Sequence, residues 1–234
     1  MNREIFEKGI IELGFSVSEE KINKFEVFSR LLVEWNEKMN LTAVTDPEGI
    51  SVKHFLDSIA PLSVFDIKEN AKVIDVGTGA GFPGVPIKIV REDLDFTFMD
   101  SLNKRINFLK EVSENINFKK AEFVHARAEE AGKSKLYREK FDVAVSRAVA
   151  NLKVLCEYCL PFVKVGGVFA AFKQFEVEDE IDDARAMIGT LGGRIAEIKE
   201  VEIPCSDITR KIVLIEKVKE TPAQFPRRAN KIKK

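Results

Sequence analysis

The sequence predicts an α/β fold, in which a mostly parallel sheet is covered by helices and preceded by a helical segment. From residue 71 onward, short apolar runs alternate with helical patterns, as expected when each pair of parallel strands is joined by a helical crossover. The first apolar run, 72–76, ends at a glycine-rich loop. In open α/β sheets, ligands bind at this end of the strands.

The first 66 residues are predicted to be helical. A continuous apolar stripe with spacings of three and four indicates an amphipathic helix. The stripe consists of Ile22, Phe25, Phe28, Leu32, Trp35 and Met39. Ser16 and Glu19 have the spacing of a capping box upstream of that stripe. A further helix, predicted over 47–62, carries His54 and Asp57 one turn apart, and we expect these two side chains to form a structural pair.

Five segments of the remaining chain are predicted to be parallel strands. They are 72–76, 95–100, 121–125, 141–146 and 167–173. A helix is expected at about 176–191, and two more strand-like runs flank the short polar link 205–208. These two runs predict an antiparallel hairpin that closes one edge of the sheet.

Composition indicates a globular protein with no metal, no disulfide framework and no membrane segment. The chain has 234 residues, of which 45% are hydrophobic and 32% charged. No apolar run approaches the roughly 18 residues that a membrane helix needs, and no signal core opens the chain, so we expect a cytoplasmic protein. Cys156 and Cys159 lie in an apolar helical pattern. With only Cys205 and two distant histidines besides, they are expected to be core thiols.

Positive charge is concentrated near the C-terminus, although the net charge is −1. Residues 209–234 hold nine Lys or Arg against two Glu, a distribution that suits a local contact with phosphates. A solvated terminal tail is the alternative. The candidates for contacts with a nucleic acid are Arg227, Arg228, Lys231, Lys233 and Lys234, with Lys104, Arg105 and Lys173 nearer the expected site.

The glycine loop is compatible with more than one nucleotide-containing ligand. A Walker A loop requires Lys-Ser/Thr where this chain has Val85-Pro86, so that interpretation fails. The dinucleotide fingerprint G-x-G-x-x-G fits Gly77 and Gly79, but Phe82 replaces its third glycine. The dinucleotide interpretation is weakened without being excluded.

S-adenosylmethionine, which has no pyrophosphate, is the remaining candidate. Gly77 and Gly79 would let the backbone approach its methionine portion, and Asp75 would attract the ammonium group, directly or through water. Asp100, at the end of the second strand, is placed to bind ribose hydroxyls. Ala128 and Glu129, after the third strand, suit the adenine edge through a backbone N–H and a carboxylate. For Asp100 and Glu129, the alternative role is helix capping or surface charge.

Several motifs, in this order, resemble the glucose-inhibited division protein B family. They are EWNEKMNLTAV, KHFLDSI, VIDVGTGAGFPGVP, SLNKRINFL, RAEE, SRAVA and FPRRANKIKK. Members of this family are bacterial methyltransferases that modify N7 of a guanine in 16S ribosomal RNA. The resemblance extends from about residue 20 to the C-terminus, and the combination of GTGAGFPG with SRA and PRRA is highly specific.

The resemblance implies a class I S-adenosylmethionine-dependent methyltransferase fold. This is a Rossmann-like sheet of seven strands, five parallel and two in a C-terminal antiparallel hairpin. It predicts a helical extension over 1–66 packed on the core, a methyltransferase domain over 67–220 and a basic tail over 221–234. We also expect a monomer that acts on 16S rRNA in the small ribosomal subunit or its assembly intermediate.

The cofactor contacts of the family map onto Gly77, Phe82, Ala128, Glu129 and Arg147. Of these, Phe82 and Arg147 come from the resemblance alone. The chain departs from many members in having Lys173-Gln174 after the fifth strand instead of Lys-Gly, and in lacking a proline-containing stretch at its end. Both departures concern contacts with the target more than the cofactor site.

Methyl transfer to guanine N7 requires no general base, because the attacking lone pair carries no proton. The site needs orientation and exclusion of water, so no acid–base residue is assigned. The fourth strand ends in Ser146-Arg147-Ala148-Val149, not in the Asp/Asn-Pro-Pro-aromatic sequence of amino-group methyltransferases. Three functional roles are open for Arg147: fixing the cofactor, holding a phosphate of the target or binding guanine O6. The alternative is an ion pair with a nearby acidic side chain. A nucleophilic Cys205 is disfavoured by its position after the sixth strand.

Three other functions stay open at this point. They are a methyltransferase for a small molecule or protein, an NAD-dependent oxidoreductase, and a catalytically silent RNA-binding or assembly factor. The missing third glycine of the loop and the lack of a Tyr-x-x-x-Lys pair disfavour the oxidoreductase. The intact cofactor loop disfavours the silent factor.

Overall fold

The computed structural model describes residues 1–147 and 150–232 of the chain. Its strands are β1 (Lys72–Val76), β2 (Asp95–Asp100), β3 (Ala121–His125), β4 (Phe141–Arg147), β5 (Val163–Gln174), β6 (Gly193–Glu202) and β7 (Thr209–Lys217). They form one sheet in the order β3-β2-β1-β4-β5-β7-β6. The first five strands are parallel, whereas β7 is antiparallel to both β5 and β6. The predicted parallel sheet and edge hairpin are therefore confirmed.

Helices cover the sheet and form the N-terminal layer. The α-helices are α1 (Arg3–Glu12), α2 (Glu19–Met39), α3 (Pro47–Gly49), α4 (Asp57–Ile59), α5 (Gly84–Val90), α6 (Asn103–Ile116), α7 (Ala128–Ala131), α8 (Leu152–Cys159), α9 (Glu178–Thr190) and α10 (Ala229–Ile232). Among the described residues, no helix is both long and apolar enough to cross a membrane.

The apolar stripe of α2 packs onto the sheet domain. Phe25, Phe28 and Leu32 are fully buried, in the same core cluster as Val73 of β1. The helix begins differently from the prediction, because its N-cap is Ser18, whose Oγ accepts a hydrogen bond from Lys21 N at 3.3 Å. The proposed capping box starting at Ser16 is wrong by two residues, although the cap is again a serine.

The predicted helix over 47–62 is a composite element. A π-helix spans Ile50–Leu56 between α3 and α4, and a 3₁₀ turn, Ala60–Ser63, follows. A π-helix has wider turns than an α-helix and often occurs at functional sites. His54 and Asp57 consequently bond to different partners and not to each other, so the expected pair is wrong.

Candidate cofactor cleft and target site

The glycine loop connects β1 to α5 through residues with left-handed backbone geometry. Gly77, Gly79 and Gly81 have φ of 73°, 60° and 92°, values that favour glycine. The backbone N–H groups of Gly77 and Thr78 donate to Met99 O of β2, at 2.9 and 3.0 Å. These bonds hold the loop against the carboxyl end of the neighbouring strand.

Asp75 lies fully buried beneath this loop. Its Oδ2 accepts hydrogen bonds from Thr78 Oγ1 at 2.7 Å and from Gly84 N at 3.0 Å, which ties both ends of the loop to β1. Burial raises the pKa of Asp75 to about 7. Its other oxygen, Oδ1, has no hydrogen-bond partner among the described residues. A contact between Asp75 and the cofactor's ammonium, direct or through water, stays a prediction.

Asp100 occupies the end of β2 and also supports the loop. Its Oδ2 accepts a hydrogen bond from Gly79 N at 2.9 Å, and its Oδ1 accepts one from Leu102 N at 2.9 Å. Arg105 forms an ion pair with the same carboxylate at 3.3 Å. Asp100 is thus oriented at the cleft wall, with lone pairs left to accept from hydroxyl groups.

A cleft of about 600 Å³ opens at the carboxyl ends of these strands. The predicted cofactor residues meet in its wall: Gly77, Gly79, Phe82, Asp100, Ala128, Glu129 and Arg147. The sequence did not indicate several further wall residues, notably Thr42, which comes from the N-terminal extension, and Tyr158, which comes from α8. Of the predicted set, only Asp75 lies outside the wall.

Phe82 joins the loop to the N-terminal extension. Its ring packs against Phe28 with centroids 5.3 Å apart and stacks with His54 at 4.4 Å. The Nε2 of His54 lies 2.7 Å from Thr42 Oγ1. Burial, together with the nearby Arg147, lowers the pKa of His54 to about 4. The imidazole is therefore uncharged at neutral pH.

Arg147 belongs to a buried ion cluster around Asp57, whose side chain is 6% exposed. Nη1 of Arg147 donates to Asp57 Oδ2 at 3.0 Å, and Nε of Arg210 on β7 donates to Asp57 Oδ1 at 2.8 Å. The guanidinium of Arg147 also lies 5.1 Å from the Phe82 ring centroid. The ion pair considered for Arg147 therefore exists, and it is buried.

A second cleft, of about 570 Å³, adjoins the first and shares His54 and Arg147 with it. Its wall carries four cations, namely Lys53, Arg147, Lys173 and Arg210, together with three acids, Asp57, Glu176 and Glu180. Arg210 was not singled out from the sequence, because nothing in the pattern of β7 marks one basic residue among several.

The candidate RNA contacts fall into two groups. Lys104, Arg228 and Lys231 are exposed, whereas Arg105, Lys173 and Arg227 are engaged with other residues. Lys173 bonds to Glu180 Oε2 at 2.6 Å and is 9% exposed, and Arg227 pairs with Glu157 at 2.7 Å. Lys233, Lys234, Ala148 and Val149 lie outside the described residues.

Cys156 and Cys159 are core thiols, as predicted. Cys156 and Cys159 are fully buried, and burial raises the pKa of both thiols. Cys205 lies in the turn before β7, with its Sγ 3.8 Å from Ile5 O, and it lines neither of the two clefts. Within the described parts of the chain, no group of three or more His, Cys, Asp or Glu side chains could hold a metal ion.

The sheet order and the glycine-loop cleft at its carboxyl edge are those of the class I, Rossmann-like methyltransferase fold. Among solved structures, an S-adenosylmethionine-dependent methyltransferase from Aquifex aeolicus superposes with a TM-score of 0.54 at 19% identity, over 78% of this chain and 97% of that one. At this identity the likeness shows the fold alone.

The family follows from the sequence comparisons. The profile of the GidB family, described as rRNA small subunit methyltransferase G, matches residues 21–212. A ribosomal RNA small subunit methyltransferase G of Alkaliphilus metalliredigens is 49% identical over 224 residues, covering 96% of this chain and 94% of that protein. Its namesake from Clostridium perfringens strain SM101 is 48% identical over 231 residues, 99% and 97% of the two chains. This chain belongs to the GidB family.

The chain is therefore a methyltransferase, and its cofactor is S-adenosylmethionine, as predicted. The residues present fit this molecule. A Cβ built at Gly79 would touch nothing nearer than the Gly77 carbonyl oxygen at 3.9 Å, so bare backbone faces open space at the cleft. The buried, unpartnered Oδ1 of Asp75 is a further acceptor beneath the loop. The oxidoreductase alternative is not favoured.

Proposed function

We propose that this chain methylates N7 of a guanine in 16S rRNA of the small ribosomal subunit or its assembly intermediate. The observation that carries the proposal is the meeting of two clefts at His54 and Arg147. One has the glycine loop expected for the cofactor, and the other has basic side chains suited to a polyanion. A target base in the second cleft would lie next to the cofactor's methyl group.

Named residues would hold the cofactor in the first cleft. Backbone at Gly77 and Gly79 would lie along the methionine portion, with Asp75 beneath it. Asp100 would accept hydrogen bonds from the ribose, and Ala128 and Glu129 would bind the adenine edge. Phe82 and Arg147 would close the wall that faces the target. When bound, S-adenosylmethionine supplies an electrophilic methyl group on sulfur.

The side chains between the two clefts suit a nucleophile that has no proton to lose. His54 is a weak base because its pKa is about 4, and its Nε2 is already engaged with Thr42. Asp57 is held by two arginines. These residues would orient the base and exclude water, which is what in-line transfer to N7 requires. The pairing of Arg147 with Asp57 also keeps a cation tolerable near a sulfonium.

We assign the other proposed RNA contacts from the cleft that each basic residue lines or flanks. Arg147 and Arg210 line the second cleft together with Lys173, and would bind phosphates or guanine O6 there. Arg105 and Lys104 flank the first cleft near the start of α6. We further propose that the enzyme acts as a monomer in the cytoplasm, where ribosomal subunits are assembled.

The division into an extension (1–66), a methyltransferase domain (67–220) and a basic tail (221–234) is part of the proposal. The extension shares its core with the sheet: Phe28 of α2 and Phe98 of β2 belong to one buried cluster. Thr42 and His54 of the extension line the cofactor cleft. We therefore infer that the extension is required for cofactor binding as well as for stability.

The test is incubation with methyl-labelled S-adenosylmethionine and naked 16S rRNA, 30S subunits or 70S ribosomes. We expect label at N7 of one guanine in at least one of these substrates, located by cleavage at N7-methylguanosine. Arg210→Lys is a useful companion variant, because it keeps the charge but loses the fork geometry. Label at an exocyclic amine, or transfer only to a small molecule or protein, would refute the proposal.

A further inference from the structure

The C-terminal segment 221–232 is docked onto the domain, and one buried carboxylate holds it. Glu157 of α8 is 1% exposed, and its carboxylate accepts hydrogen bonds from Arg227. The backbone N of Arg227 donates to Oε1 at 2.6 Å, and Nη2 donates to Oε2 at 2.7 Å. Recognition of both the main chain and the guanidinium defines the position of Arg227 along the segment.

A second clamp holds the segment just before this point. Arg138 donates from Nη1 to Phe225 O at 2.8 Å and from Nη2 to Thr221 O at 2.5 Å. Phe225 is 8% exposed. The segment is therefore fixed over its length from Thr221 to Arg227, which excludes a solvated tail for these residues.

The docked segment forms one wall of a groove of about 510 Å³, and α7 with its flanking residues forms the other. The charged side chains that line it are Arg127, Lys133, Arg227 and Arg228 against Glu129 and Glu130. Arg127, Lys133 and Arg228 are exposed, whereas the charge of Arg227 is compensated by Glu157. The groove therefore offers three exposed cations against Glu129 and Glu130, and Glu129 also lines the cofactor cleft.

The groove continues into the cofactor cleft. Arg127 and Glu129 line both cavities, and Tyr158, next to Glu157 on α8, lines the cleft. An extended anion lying in the groove would reach the entrance of the cleft on the side of Glu129. Regularly spaced negative charge on a flexible chain is the chemistry of a single-stranded RNA backbone.

We propose that this groove binds the phosphodiester backbone of the substrate RNA outside the target nucleotide. Arg127, Lys133 and Arg228 contact phosphates, and Glu157 is a positioning residue that acts through Arg227. The inference rests on the proposed function, since it takes 16S rRNA as the substrate. Under this proposal the two adjacent arginines have different roles. Arg227 anchors the segment, and Arg228 contacts the RNA.

The first experiment compares two double charge reversals in the full-length protein. Lys133→Glu with Arg228→Glu changes the groove, and Lys8→Glu with Arg194→Glu makes the same change in charge on α1 and β6. Affinity for a 16S rRNA transcript is measured by filter binding over a range of salt concentrations. We expect the groove variant to lose affinity about tenfold or more, and the slope of log affinity against log salt to fall by about 1.5.

The control variant should keep the wild-type salt slope, and both variants should keep the wild-type affinity for S-adenosylmethionine. If the two variants have equal RNA affinities and equal slopes of log affinity against log salt, the proposal that the groove binds RNA is wrong. The wild-type protein is assayed for N7 methylation of the same RNA in parallel. If it transfers no methyl group to any rRNA substrate, the proposed function fails. If it does so while the two variants behave alike, only this inference fails.

Glu157 is tested by coupling it to Arg227. Glu157→Gln and Arg227→Met should each raise the KM for RNA several-fold, with kcat and the KM for S-adenosylmethionine unchanged. The double variant should be no worse than either single variant, because both changes release the same segment. Faster tryptic cleavage after Arg228 reports that release. Additive effects on the KM for RNA, or an altered kcat with an unchanged KM, would refute the positioning role.

Discussion

The ring of His54 stacks on the ring of Phe82, with centroids 4.4 Å apart and planes inclined by 19°. Phe82 belongs to the glycine loop, and His54 belongs to the π-helix of the N-terminal extension. The stack therefore joins two distant parts of the chain at the point where the cofactor cleft meets the second cleft. Both rings are also within reach of the Arg147 guanidinium.

Replacing Phe82 tests whether this ring selects the cofactor. We expect Phe82→Gly to weaken S-adenosylmethionine binding at least about tenfold, or about 1.4 kcal/mol, without creating affinity for NAD. Because Phe82 is buried, the variant should also lose about 4 kcal/mol of unfolding free energy. Phe82→Leu, which keeps apolar bulk, should lose much less stability. Calorimetric titration with both cofactors decides, and NAD binding by the glycine variant would contradict the prediction.

The low pKa of His54 makes stability depend on pH. An unfolded histidine takes up a proton near pH 6.5, whereas folded His54 does so only near pH 4. The unfolded state therefore binds more protons in this window, and the unfolding free energy should fall by about 2–3 kcal/mol as the pH drops from 7 to 4. Asp75, with its pKa raised to about 7, acts in the opposite direction over a similar range.

Urea unfolding of wild type and His54→Gln at pH 7 and pH 4.5 separates the two groups. The difference in unfolding free energy between the two proteins should be smaller at pH 4.5 than at pH 7. Only the wild type has a histidine at position 54 that binds a proton in the unfolded state and stays neutral in the folded state. Asp75→Asn is the matched variant for the opposing contribution. An identical pH dependence for wild type and His54→Gln would show that His54 titrates normally.

Asp57 should be worth more to stability than Arg210, one of the two arginines that it binds. Asp57→Ala leaves the buried guanidinium of Arg147 without its counter-ion and should cost about 3–5 kcal/mol. Arg210→Ala should cost about 1–2 kcal/mol, since Asp57 keeps Arg147 and the Arg210 side chain is 27% exposed. Denaturant unfolding measures both, and equal losses would mean that Asp57 is not the centre of the cluster.

Gly79 of the loop and Gly84, the first residue of α5, should respond differently to an added methyl group. At Gly79 a Cβ would enter open space. Gly79→Ala should therefore lower the unfolding free energy by only about 1–2 kcal/mol, the cost of placing alanine in a left-handed backbone conformation. The same variant should weaken cofactor binding. At Gly84 a Cβ would lie 2.6 Å from Asp75 Oδ2 and 2.7 Å from a Phe98 ring carbon, so Gly84→Ala should cost about 3 kcal/mol or more. Thermal unfolding and titration with S-adenosylmethionine compare the two; a large stability loss at Gly79 would contradict the assignment.

Periodicity was sufficient to predict the sheet. Strands β1, β2 and β3 begin and end at the predicted residues, because alternation of buried runs and helical crossovers is a local property of the chain. The carboxyl ends of adjacent parallel strands meet at one edge. For that reason the sequence alone predicts that Asp100 and Glu129 lie beside the glycine loop.

Long-range pairing was not predictable in the same way. The one-turn spacing of His54 and Asp57 assumed an α-helix, and nothing local indicates the π-helical turns that separate them. Glu157 has an unremarkable place in a helical pattern, yet it is buried because Arg227, 70 residues later, supplies its counter-charge. A list of basic residues likewise does not distinguish Arg227, which anchors the segment, from exposed Arg228.

The contact between Asp57 and Arg210 spans 153 residues, and this separation has a consequence for biosynthesis. At a translation rate of about 5–20 residues per second, roughly 8–30 s pass between the addition of these two residues to the nascent chain. During that interval Asp57 and the π-helix exist without β7, so the second cleft lacks one wall. A nascent chain that has not yet reached β7 would therefore carry the glycine loop before Arg210 can complete the Asp57 cluster and before the proposed target site in the second cleft can form.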